Sequence, residues 1–131
     1  MKLNHMFNEG ACGIEQALYV GKVKFNTEGI ADGVALVEVP AHHVITKAVC
    51  KVNAAFNAAT TNVLTLGTDA SVDNLLGADA VTEGTTGTYQ AQTWLETGSA
   101  AKTVKAKYTQ TGTAATTGEA EFYIFVMRLP D

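Results

Sequence analysis

The sequence predicts an all-β protein, an antiparallel β-sandwich with a jelly-roll-like topology that follows an extended N-terminal arm. Thr and Ala make up more than a quarter of the 131 residues, whereas Leu, Glu and Lys, which stabilise surface helices, are infrequent. Apolar and polar residues alternate with period two in most of the chain after residue 18. Turn signals separate about seven or eight such segments, and no long helical pattern intervenes, which excludes a parallel α/β sheet.

The arm is predicted to span residues 1–18 and the sandwich domain residues 19–131. The first 18 residues contain a Gly-Ala-Cys-Gly run and show no alternation. Ile14, Ala17 and Leu18 have helical spacing, but this is enough for only one or two turns, which are not stable alone. We therefore expect a surface outside the arm's own sandwich to hold it.

The alternation places strands at residues 19–25, 34–39, 44–56, 63–66, 89–95, 103–109 and 119–129. Residues 68–88 are predicted to be a loop, with a short helical or strand piece near residues 72–76 as an alternative. In the long third segment, Val44 and Ala48 are expected on one face and Lys47 on the other.

The last segment is apolar on both faces. Phe122, Ile124 and Val126 alternate there with three further apolar residues, Tyr123, Phe125 and Met127. A strand of this kind is expected to be central in its sheet or covered on both sides.

The net charge and the hydropathy pattern limit the classes of partner that we expect for this protein. The formal net charge is -4, and the only arginine is Arg128, so the clustered cations that nucleic-acid binding requires are missing. No run of 18 apolar residues predicts a membrane span, and the N-terminus lacks the apolar core of an export signal. We expect neither a nucleic-acid nor a membrane partner. Cys12 and Cys50 are expected to be free thiols in a reducing cytosol, and a disulfide between them is the alternative.

No catalytic constellation is evident. His42 and His43 are adjacent in a turn, and the two serines, Ser71 and Ser99, have no nucleophile motif. Glu119 and Glu121, about 7 Å apart along one strand, are interpreted as a charged strand end rather than a glycosidase pair.

Metal binding is not expected either. Asp69 and Asp73 match the opening of a calcium loop, but Asn74 and Ala80 replace its required Gly and Glu. A looser site that adds Asp79 is the alternative to a solvated loop. We predict no catalytic residue, no cofactor and no metal ligand.

Trp94 is the one large aromatic residue expected on a polar face, beside Gln90 and Gln92. It is interpreted as an anchor in a subunit interface or in the core. Stacking on a sugar is the alternative.

Two runs resemble small virion proteins of tailed bacteriophages. Val39-Pro-Ala-His-His-Val-Ile-Thr-Lys-Ala-Val and Val52-Asn-Ala-Ala-Phe-Asn-Ala-Ala-Thr-Thr-Asn-Val-Leu-Thr-Leu-Gly67 carry the likeness, together with the closing strand Gly118–Ile124. The similarity covers about residues 34–129 and excludes the arm.

The resemblance implies a non-enzymatic head decoration (cement) protein. Its expected partners are the major capsid protein and further copies of itself, and its expected location is the capsid exterior of a virion assembled in the host cytoplasm. The alternatives are a carbohydrate- or host-receptor-binding module that uses Trp94, Tyr89 or residues 68–88, or a tail or fibre component. The candidate interface residues are Met1, Leu3, Met6, Phe7, Ile14, Leu18 and Trp94.

Overall fold

Eight antiparallel strands form the part of the chain that the structure, a computed structural model, describes: residues 13–69 and 71–130. Their bounds are β1 Glu15–Lys24, β2 Val34–Val39, β3 His43–Ala54, β4 Thr61–Thr68, β5 Ser71–Leu76, β6 Gly87–Glu96, β7 Lys102–Thr111 and β8 Glu119–Arg128. No helix among these residues is long and apolar enough to cross a membrane.

The strands form two four-stranded sheets, with the orders β1-β8-β3-β6 and β2-β7-β4-β5. Every pairing is antiparallel, and among consecutive strands only β4 and β5 are neighbours in one sheet. The chain thus crosses between the sheets at almost every turn, which is the topology of a jelly roll. The predicted antiparallel sandwich is confirmed, and so is the central position of the last strand, since β8 lies between β1 and β3.

One core fills the space between the sheets. Phe122 and Ile124 of β8 are fully buried there against β4 and β7 residues such as Leu64. At one end of the core the rings of Phe56 and Tyr108 pack with centroids 4.7 Å apart. Gly118 permits this packing, because a Cβ at its position, with φ +146°, would lie 2.4 Å from the Phe56 ring.

A register shift in β3 corrects one predicted face. Val44 was expected to share a face with Ala48, but the pairing of β3 with both neighbours shifts between Ile45 and Lys47. The extra residue, Thr46, reverses the alternation, so Ile45 joins Ala48 in the core cluster. Val44 is buried as well, outside that cluster, in register with Met127 and Glu96.

β1 begins at Glu15, so the predicted boundary after Leu18 falls inside a strand. Residues 15–18 pair with residues 124–127 of β8, so the segment with helical spacing forms part of a strand. The reason is that β8 extends to Arg128 and pairs with nine of the ten residues of β1, all except Val20. The arm prediction therefore concerns residues 1–12, which lie outside the described residues.

β5 is the strand alternative predicted near residues 72–76. It joins β4 at two register positions only, Leu66–Leu76 and Thr68–Ser71. Between them Gly67 allows a very close approach, since a Cβ there would lie 2.2 Å from the Ser71 carbonyl oxygen. The sequence pattern did not identify this strand clearly, because Ser71, Asp73 and Asn74 leave no apolar alternation in its first four residues.

Candidate interaction surface

The outward side of the β1-β8-β3-β6 sheet carries a surface that we call the aromatic face. Residues that share a register position share a face, so Tyr19, Tyr123 and Val49 lie side by side across three strands. The next row contains Ala17, Phe125 and Lys47. The aromatic face consists of Tyr19, Val49, Trp94, Tyr123, Phe125 and Met127.

Ring contacts give the aromatic face a fixed geometry. Tyr19 and Tyr123 meet edge to face, with ring centroids 5.3 Å apart and planes inclined by 64°. The Lys47 ammonium lies 5.0 Å from the Phe125 ring centroid, in a cation–π contact. Thr46 donates a hydrogen bond to Glu15, which ties β3 to β1 across β8.

The opposite end of the same outward surface is charged. Asn53 donates hydrogen bonds to Glu121 (2.7 Å) and Glu119 (3.4 Å), and Lys22 lies 3.9 Å from Glu119. The two glutamates are thus held by polar partners on an open sheet surface, as expected for a charged strand end. The outward surface is divided between an apolar end and a polar end.

Trp94 is on the surface and not in the core, so the core alternative is wrong. Its side chain is 60% exposed, and its indole N–H donates to Glu96 at 2.9 Å. Gln90 and Gln92 are also exposed and lie on the same side of β6, as the alternation predicted. Large exposed aromatic rings are enriched in protein interfaces.

The outward side of the other sheet, the polar face, is different in chemistry. It is defined by Glu38, Thr65, Thr103, Lys105, Lys107 and Thr109, with Ala35 and Val63 as its apolar members. A groove of about 370 Å³ lies on it, lined by Val63, Thr65, Ser71, Val72, Asp73, Ala78, Lys107 and Thr109. No aromatic ring lines this groove, so the rings and the loop proposed for sugar binding do not come together in it.

The predicted interface residues do not form one cluster. Trp94 lies on β6, at the sheet edge opposite β1. Leu18, 38% exposed, is on β1 in register with the core residue Ile124, and therefore on the inner side of the sheet. Ile14 is half-buried just before β1. Met1, Leu3, Met6 and Phe7 lie outside the described residues.

The aromatic face contains five residues that the interface prediction missed. Tyr19, 53% exposed, is the most accessible of them. The signal was present in the last strand, where Tyr123, Phe125 and Met127 form a second apolar side. A sequence does not show whether another layer covers a strand. The second apolar side was therefore interpreted only as evidence that the strand is central in its sheet.

The histidines and acidic residues have local structural contacts. His43 begins β3, and its Nδ1 lies 2.9 Å from the Ala41 carbonyl oxygen, while the neighbouring His42 is exposed. Asp69 forms an ion pair with Lys105 at 3.0 Å, and this hydrogen-bonded cation lowers the pKa of its carboxyl. Within residues 13–69 and 71–130, no three metal-ligating side chains of His, Cys, Asp or Glu come together.

Cys50 and Glu83 are ionisable groups that are buried in the sandwich. Burial raises the pKa of the Cys50 thiol to about 12, and the nearby Glu83 carboxylate contributes in the same direction, so this free cysteine is an inert core residue. Glu83 accepts a hydrogen bond from the Leu64 backbone N–H at 3.0 Å, and burial raises the pKa of its carboxyl.

These features define an eight-stranded jelly-roll sandwich with one aromatic and one polar outward face. Several solved structures share this fold. A chain in the structure titled "Cyanophage Pam1 capsid asymmetric unit" matches with a TM-score of 0.67 and 20% identity, over 94% of this chain and 90% of that chain.

Two further structures are titled "Capsid of Ralstonia phage GP4" and "Acidic stable capsid structure of Helicobacter pylori bacteriophage KHP30". The first matches with a TM-score of 0.62 and 18% identity, over 92% of this chain and 88% of that chain. The second matches with a TM-score of 0.53 and 15% identity, over 90% and 95%. No family model and no curated protein matches the chain.

Proposed function

We propose that this protein is a structural component of a bacteriophage capsid, a non-enzymatic decoration (cement) protein on the exterior of the head. In this proposal it binds the major capsid protein through the aromatic face and stabilises the shell. The virion assembles in the host cytoplasm, without a nucleic-acid or membrane partner for this chain. The observation that carries the proposal is the exposed aromatic face on a fold shared with chains of three phage capsid structures.

The chemistry of the aromatic face supports a docking role. Exposed aromatic rings keep apolar area in contact with water, and burying that area against a partner is favourable by about 25 cal/mol per Å². The rings are already held by the Tyr19–Tyr123 and Lys47–Phe125 contacts, so little side-chain entropy is lost on binding. The face lies on a rigid sheet, as a repeated protein contact requires.

The arm remains part of the proposal. Residues 1–12 precede Gly13, whose N–H donates to the Arg128 carbonyl oxygen at the apolar end of the outward surface. Gly13 therefore lies at the end of the sheet that carries the aromatic face. Met1, Leu3, Met6 and Phe7 would then add apolar contacts with the shell or with a neighbouring copy.

The test measures binding of the purified protein to heads that lack it. Wild-type protein is expected to saturate the heads at a copy number that is a fixed multiple of the shell subunits. Trp94→Ala should weaken binding by about 30-fold, the loss typical of an interface anchor. Thr109→Ala, on the polar face, is the matched control and should bind as wild type does.

Equal occupancy by the two variants would contradict docking through the aromatic face. Binding to tails alone, at a few copies per particle, would contradict the decoration role and favour a tail component. Saturable quenching of Trp94 fluorescence by an oligosaccharide would favour the carbohydrate-binding alternative instead.

A further inference from the structure

β6 is an edge strand of the sheet that carries the aromatic face. It pairs with β3 on one side and has no strand on the other. Among the described residues, Thr88–Glu96 make no backbone hydrogen bond to any turn or loop. Alternate N–H and C=O groups along this edge are therefore open to another chain.

The other three edge strands carry features that prevent pairing. Proteins protect sheet edges with charged side chains, bulges or short strands. β1 has Lys22 and Lys24 and a register shift at Val20, while β2 and β5 have six residues each and a register shift. β6 has ten residues, with no charge and no proline from Gly87 to Leu95. Its pairing with β3 shifts only between Gln92 and Leu95, so it is regular from Gly87 to Gln92.

We propose that β6 pairs antiparallel with β6 of a second copy, about a twofold axis at Gln90, and joins two sheets into one of eight strands. This register uses only the regular part of the strand. On the outward side it places Gln90 opposite Gln90 and Thr88 opposite Gln92, and on the inner side Tyr89 opposite Ala91. Amide and hydroxyl side chains can hydrogen-bond across such a pair, and no like charges meet.

The self-complementary edge is the reason to choose a second copy as the occupant. A twofold interface requires one surface to fit itself, and a strand whose central residues are uncharged on both sides meets this requirement. Residues directly opposite in an antiparallel pair share a face, so both aromatic faces would lie on the same side of the joined sheet. Only this last consequence, a doubled docking surface, rests on the proposed function; the pairing itself does not.

The test introduces a charge of either sign at Gln90, on the proposed twofold axis, and uses the purified protein without capsids. Sedimentation is measured for wild type, Gln90→Lys, Gln90→Glu and an equimolar mixture of the two variants. Wild type should dimerise in a concentration-dependent way. Each variant alone places like charges opposite each other and should dimerise roughly tenfold more weakly, whereas the mixture should recover wild-type dimerisation. Gln90 is exposed, so both variants should melt as wild type does.

Matched controls use the opposite edge of the same sheet. Gln16→Lys and Gln16→Glu make the same changes at an exposed glutamine of β1 and should dimerise as wild type does. A second design, Thr88→Lys with Gln92→Glu in one chain, places opposite charges across the axis and should tighten the dimer.

A monomeric wild type would overturn the proposal, as would equal dimerisation of the Gln90 variants and the Gln16 variants. Failure of the Gln90 mixture to recover would overturn the twofold register. Because no capsid is present, these outcomes are independent of the head-binding test.

Discussion

The two sheets share one core, yet their outward faces have different chemistry. The β2-β7-β4-β5 sheet presents lysines and threonines, and one of its lysines, Lys105, is paired with Asp69. The β1-β8-β3-β6 sheet presents rings and aliphatic side chains over about half of its length. Both faces are open to solvent in the single chain. A face that contacts only solvent does not require the rings and aliphatic side chains of the β1-β8-β3-β6 sheet. Large exposed apolar patches of this kind mark interaction sites.

The comparison separates two uses of apolar residues in one fold. On the inner side they provide the stability of the sandwich, and on the outward side they are available to a partner. β8 contributes to both, because its alternate residues point in opposite directions. Substitutions within this strand and on the two outward faces therefore test the division directly.

The largest expected effect is the difference in stability between substitutions on the two sides of β8. Phe122→Ala removes a fully buried ring and should lower the free energy of unfolding by about 3–5 kcal/mol. Phe125→Ala, three residues later and on the outward side, should lower it by only about 1 kcal/mol, because that side chain is half-buried without a covering layer. Urea denaturation measures both. Equal losses would mean that the outward ring belongs to a folded layer and not to a docking surface.

The second prediction compares the two outward faces. Val49→Glu introduces a charge beside Tyr123 and should weaken binding to undecorated heads about 100-fold, because a carboxylate that loses its water in the contact is costly. Thr109→Glu makes the same change on the polar face and should not affect binding. Co-sedimentation with heads measures occupancy, and thermal melts show that both variants fold. Equal binding of the two would remove the functional distinction between the faces.

The smallest effect concerns pH and the buried carboxyl next to β4. Since burial raises the pKa of Glu83, the folded state binds a proton more readily than the unfolded state between the ordinary value and the raised one. This group therefore contributes stability as the pH falls through its folded pKa, and loses that contribution as the pH rises. Glu83→Gln keeps an oxygen acceptor for the Leu64 N–H and should be slightly more stable than wild type at pH 7.

The difference between Glu83→Gln and wild type should shrink as the pH falls toward 4.5, because the raised pKa increases the protonated fraction of the wild-type carboxyl. Thermal melts across this range measure it. The matched control is Glu121→Gln, since Glu121 lies on the outward surface of the aromatic sheet and is held by Asn53. A Glu83→Gln variant that is less stable than wild type at every pH would contradict the account.

Much of the fold was accessible from the sequence because strand alternation is a local property. The period of two identified every strand of the sandwich except β5, for which it left a strand as one alternative. It also placed Trp94 on the same side of β6 as Gln90 and Gln92. These results need only the alternation of side chains along one chain segment.

The position of Thr46 shows where local reasoning fails. One extra residue opposite β8 reverses the alternation, so Ile45 and not Val44 shares the core with Ala48. Nothing in the residues between Val44 and Lys47 marks this shift. It is set by the partner strands, whose registers on the two sides of β3 must both be satisfied.

The sequence by itself determined the fold class, the buried alternation and the lack of a recognisable catalytic motif, because each depends on composition or on neighbours along the chain. Only the tertiary structure decided that Tyr19, Val49 and Tyr123 form one surface, since they come from three strands that are distant in sequence. It also decided that β6, whose position in the sheet its own residues do not indicate, is an edge strand. Strand order and register arise from the packing of all eight strands together, so no single segment encodes them.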